Sequence, residues 1–150
     1  MARRDWLTLP QLAGGADLAL LATRLVVGAF LIFGVWDNIA SAERMAEFEK
    51  FLTLKGFAMP GLMAPLSVWA QFLVGVAFIA GFATRWAGLI CAFNFVVALV
   101  MVDAPLGIRP AFPAAALVLF GLISATIGAG RFALDAMLTK GAASRKGWRE

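Results

Sequence analysis

Of 150 residues, 62% are hydrophobic and only 15% charged, whereas a soluble domain is roughly half apolar and a quarter charged, so an ordinary water-soluble fold is excluded. The length allows one domain with about four helical crossings of roughly 20 residues each, and no separate soluble catalytic domain. There is no histidine, no tyrosine and a single cysteine. Their absence removes the commonest metal and haem ligand and any intrachain disulfide, so no metal centre is expected and any redox cofactor should lie outside this chain.

In chain order, the first apolar stretch covers residues 16–36, the mostly apolar Ala16–Thr23 leading through Arg24 into Leu25–Trp36. Arg3 and Arg4 resemble the basic start of a signal peptide. Asp5, Pro10, Gly14, Gly15, Asp17 and Arg24 break up the apolar core such a peptide needs, and no cleavage site is evident, so the span is expected to be retained. A charge near the bilayer centre costs about 2.5–3.5 kcal/mol, so Arg24 should face protein or water. It either snorkels to the interface or holds an anionic headgroup, a quinone carbonyl or a carboxylate on another helix. Asp17 shares its helical face but lies about 10 Å away along the axis, a poor distance for an ion pair.

The connection Asp37–Gly61 places Ile39, Met45, Phe48, Phe51 and Leu52 near one helical face, with most of its charges elsewhere. An amphipathic interfacial helix is expected on the extracytoplasmic surface, ended by Gly56 and Pro60, serving as a stiff linker, a lid or a docking surface. Asp37 and Asn38 before it, and Asp103 on the same side, read as solvated ends or as a cation or proton site. The second span, 62–82, carries Gln71 near mid-depth, and the third, 86–102, carries Asn94 at a similar level. A hydrogen bond between these amides across antiparallel helices is expected to stabilise by about 1 kcal/mol. Cys91 is a lone thiol in a span and reads as inert. The fourth span is 111–127. Trp36 and Trp86 at span ends read as interfacial anchors. Ala77 with Gly81, and Gly121 with Ala125, are small pairs at four-residue spacing suited to close helix packing. Gly128 and Gly130 then break the helix, residues 131–140 could form a short amphipathic helix on the cytoplasmic surface, and 141–150 reads as a mobile tail.

Lys and Arg collect in the amino tail (Arg3, Arg4), at Arg85 and in the carboxyl region (Arg131, Lys140, Arg145, Lys146, Arg149), against Arg44, Lys50, Lys55 and Arg109 on the other face. Both termini are therefore expected in the cytoplasm. The fold class read from the chain is an all-α integral membrane four-helix bundle, one domain over 1–150. The basic residues are split among tails and loops, which argues against nucleic-acid binding.

Arg24, Gly28, Leu31, Phe33, Gly34 and Asp37 together resemble the opening helix of the DoxX family. The second span adds Gln71, Gly75, Gly81, Thr84 and Arg85, similar to that family's second helix and its turn into the third; Phe51, Gly56, Phe57 and Pro60 resemble the approach to it. The resemblance covers roughly 18–127. Gln71 stands where the family usually has an acid, Asp37 where it has a basic residue, and Phe33 where a histidine is often found. The resemblance implies a four-helix protein of the bacterial inner membrane, associated in some relatives with thiosulfate–quinone oxidoreduction, terminal quinol oxidase or redox-stress complexes.

Three roles compete for this scaffold. The favoured one is a non-catalytic accessory subunit of a membrane oxidoreductase or respiratory complex, partnered by the bilayer and larger subunits. The second is a quinone- or lipid-binding subunit with Arg24, Gln71 and Asn94 lining the pocket, and the third is a small transporter or channel. Gly28, Gly34, Gly75, Ala77, Gly81, Gly121 and Ala125 are expected to serve helix packing in all three.

Overall fold

Lipid offers a backbone no hydrogen-bond partners, and the long apolar stretches accordingly close their own bonds as helices. The computed structural model describes residues 9–139; Arg3, Arg4 and the carboxyl tail lie outside them. A 3-10 turn, Pro10–Gly15, leads into α1 (Ala16–Ala40), followed by α2 (Ala42–Leu54), α3 (Pro60–Ala80), α4 (Thr84–Ala98) and α5 (Ile108–Ile127). Residues 134–139 are also helical, and among the described residues there is no strand. Four segments are long and apolar enough to cross a membrane: α1 with its leading turn, α3, α4 with its continuation to Leu106, and α5. The protein is an all-α, multi-pass membrane bundle, with the amphipathic α2 between the first and second crossings.

Helix ends follow local chemistry. α1 continues past Trp36 to Ala40, and Ser41 then turns extended, with its hydroxyl accepting from the Arg44 amide at 3.4 Å to cap α2. Beyond Ala98 the third crossing widens into a π turn, Leu99–Asp103, and tightens into a 3-10 turn, Ala104–Leu106, before Gly107 breaks it at φ 102°.

The bundle is built from two close pairs, α1 on α3 and α4 on α5. A Cβ added to Gly28 would lie 2.7 Å from the Gly75 carbonyl oxygen, and one added to Gly75 would lie 2.8 Å from that of Gly28. Gly88 and Gly121 repeat this reciprocal contact at 2.5 and 2.7 Å, with the Ala125 amide also against Gly88. Backbones this close leave no room for side chains between them. The pairs meet through Phe78 and Phe120, whose rings are edge-to-face with centroids 5.0 Å apart, beside Leu31, Val74, Ala87, Cys91 and Leu117; Ala77 is half-buried against this core.

Two of the glycines expected to serve packing do something else. Gly34 lies on the outer surface, where an added Cβ would meet nothing within 4 Å. Gly81 is the left-handed cap ending α3, at φ 66°, and any side chain there would run into the Arg24 guanidinium and Ala133. Gly88, in contrast, packs as closely as any of them without having been expected to.

Candidate functional site

Helical side chains lean toward the helix N-terminus, so Arg24 reaches toward the end of the bundle where the chain turns from α3 into α4. It is 1% exposed. Its Nη2 donates to the Phe132 carbonyl at 2.6 Å and its Nη1 to the Phe78 carbonyl at 3.4 Å. Phe78 belongs to the last turn of α3, where its carbonyl accepts only a long 3-10-type bond from the Gly81 amide, 3.3 Å, among the described residues, and the helix dipole favours a cation.

Asp135 supplies the facing negative charge. Its amide donates to the Gly81 carbonyl at 2.9 Å, and its carboxylate accepts from the Ala83 amide at 2.8 Å and the Thr84 amide at 2.9 Å. Ala83 begins α4 in a left-handed conformation and has no side chain able to cap it. Asp135 caps that helix from a distant part of the chain, an anion at a positive helix end. Burial alone would raise its carboxyl pKa, but the Thr84 and Ala83 amides and the Arg24 charge outweigh burial and hold it below the ordinary carboxylate value.

Two further links close this end. Arg131 pairs with Asp17, its Nε 2.7 Å from Oδ2 and its amide donating to Oδ1 at 2.9 Å. Arg85 donates from Nη1 to the Ala125 and Thr126 carbonyls at 2.9 and 2.6 Å, capping the end of α5. Residues 128–139 are thereby folded back onto α1 and the α3–α4 turn. Asp17 thus meets Arg131 and not Arg24. Sequence reasoning missed Asp135: Thr84 offers a local cap in the sequence, and the structure instead puts Ala83 at the start of α4.

Near mid-span, Gln71 and Asn94 are joined through a third residue. Gln71 Nε2 donates to the Ser67 hydroxyl at 3.2 Å, and that hydroxyl donates to Asn94 Oδ1 at 2.9 Å. Ser67, one helical turn before Gln71, was not singled out from the sequence. Gln71 and Asn94 line a crevice with Leu31, Val74, Cys91 and Phe95 that is too narrow in this conformation to admit a water molecule. Arg24 is not among its walls, so the three residues expected to share a pocket are divided between the end and the middle of the bundle.

At the opposite end, Asp37 and Asn38 line an open groove against the first turns of α2; Asp103, on the π turn, does not join them. Among the described residues no three His, Cys, Asp or Glu side chains converge as a metal site would require.

These features define a class: a four-crossing membrane bundle, glycine-packed in pairs, with a buried arginine tying helix ends together. The DoxX family model matches residues 19–104, more than half of the chain, and the chain belongs to the DoxX family. The match runs from α1 through the third crossing, whereas α5 and the segment bearing Asp135 lie beyond it. No curated protein and no solved structure matches the chain.

Proposed function

We propose that this protein is an accessory subunit of an oxidoreductase or respiratory complex in the bacterial inner membrane, with any redox group supplied by its partners. The observation that carries this reading is the use made of Arg24. It is the one charged residue buried among the described residues, and it is held by two backbone carbonyls opposite Asp135. That arrangement suits the closure of a scaffold more than the turnover of a substrate. The family resemblance supports the oxidoreductase setting, and the basic residues support placing the Arg24 end in the cytoplasm. The test is purification of the tagged chain from native membranes in mild detergent. A larger cofactor-bearing assembly should accompany it, and recovery only as a monomer or homo-oligomer overturns the reading.

The chain Gln71–Ser67–Asn94 favours a second reading, a quinone or lipid held at mid-span. Gln71 Oε1 and Asn94 Nδ2 make no hydrogen bond among the described residues, leaving an acceptor and a donor for a ligand oxygen. The crevice must open to admit a ring. Solvent extraction of the pure protein should then yield a quinone from the native chain and none from Gln71→Leu; finding no quinone in either removes this reading.

A further inference from the structure

We propose that the groove between the end of α1 and the start of α2 binds the headgroup of a zwitterionic aminophospholipid, one carrying a primary ammonium and a phosphodiester. The groove holds about 390 Å³ and is lined by Gly34, Asp37, Asn38, Arg44, Glu47 and Phe48. Its walls are fixed to each other, because Asn38 Nδ2 donates to the Arg44 carbonyl at 3.1 Å and Ser41 caps α2 between them.

Depth is the first argument. Trp36, half-exposed and adjacent to Asp37, is the kind of side chain that settles at the membrane–water boundary, which puts the groove at headgroup level. Shape is the second. Val26, Phe30 and Phe33 are exposed and recur at helical spacing on the face of α1 that leads to Asp37, forming an apolar track below the groove. Gly34 leaves a notch where track and groove meet, since nothing lies within 4 Å of where its Cβ would be. A glycerol backbone fits that notch with an acyl chain along the track.

Charge selects the headgroup. Asp37 makes no ion pair or side-chain hydrogen bond among the described residues and is free to accept an ammonium. Among the described residues the Arg44 guanidinium contacts only Glu47, at 3.0 Å in an exposed pair, a weak bond in water that a phosphodiester can share. Two carboxylates against one guanidinium leave the groove net negative, which disfavours an anionic lipid.

Native mass spectrometry of the full-length protein, with phosphatidylethanolamine and phosphatidylglycerol supplied in equal amounts, tests the site. Phosphatidylethanolamine should be retained about tenfold better, the factor expected from one charge-assisted hydrogen bond. Asp37→Asn should abolish that preference. Gly34→Leu fills the notch with every charge intact and should weaken phosphatidylethanolamine binding by a similar factor; both positions are exposed, and circular dichroism should show an unchanged fold. Equal retention of the two lipids, or a preference untouched by both variants, overturns the proposal. So does equal competition by soluble glycerophosphoethanolamine, which would reassign the groove to a free solute.

Discussion

Arg24 and Asp135 show how single residues close this molecule. Arg24→Met keeps most of the side-chain volume but removes the Nη2 donor to the Phe132 carbonyl, leaves the Phe78 carbonyl with the Gly81 amide as its remaining donor among the described residues, and takes away the charge facing Asp135. Losing the charge-assisted hydrogen bond to the Phe132 carbonyl should cost about 1.5–3 kcal/mol, read by unfolding in detergent followed by circular dichroism. Asp135→Asn replaces an acceptor-only group by one bearing donors that face the Ala83 and Thr84 amides. Losing that cap should cost about 1 kcal/mol. The same residue sets a pH dependence. Because folding lowers its pKa, its contribution is present above the unfolded carboxylate value of about 3.9 and is lost as pH falls through the folded value. The native chain should therefore lose stability below about pH 4, and Asp135→Asn should remove that component of the acid transition. Arg24 was legible in the sequence as an intramembrane charge in need of a partner. Asp135 was not, because the pairing depends on how the chain returns to the bundle after α5, and no local pattern specifies that return.

At the scale of helices, two reciprocal glycine contacts set the spacing of the bundle. A Cβ at Gly88 would approach the Gly121 carbonyl oxygen to 2.5 Å, and backbone oxygen cannot move aside as a side chain can. Gly88→Val should force α4 from α5 and destabilise by about 1–3 kcal/mol, whereas Gly34→Ala, in open space, should stay within about 0.5 kcal/mol of the native chain. Thermal melts of the two variants in one detergent separate packing glycines from surface glycines. The crossings were legible because long charge-free stretches have few alternatives in lipid, and α2 because its apolar residues recur at helical spacing. Gly88 was legible too, since with Ala92 it has the four-residue spacing that singled out Gly121 and Ala125. Spacing did not separate these from Gly81, nor did the family resemblance separate Gly28 from Gly34, because each records where small residues fall and not which face meets a neighbour. The π turn at Leu99–Asp103 carried no sequence signal of its own.

For the whole molecule, the two ends differ in ways that bear on orientation. One end gathers Arg24, Arg85 and Arg131 with the turn from α3 into α4 and the returning 128–139 segment; the other carries α2 and the headgroup groove. In the sequence the amino and carboxyl regions also carry Arg3, Arg4, Lys140, Arg145, Lys146 and Arg149, all outside the described residues. Short segments rich in Lys and Arg are retained in the cytoplasm, so α2 should face outward. Cys91 is buried, which leaves the native protein silent to a membrane-impermeant thiol reagent and makes single introduced cysteines readable against it. Leu54→Cys, at the exposed end of α2, should react in intact spheroplasts. Thr139→Cys, exposed on the returning segment, should react only after permeabilisation. The reverse pattern would place α2 in the cytoplasm and move the accessory-subunit docking face, and the lipid leaflet that serves the groove, to the opposite side of the membrane.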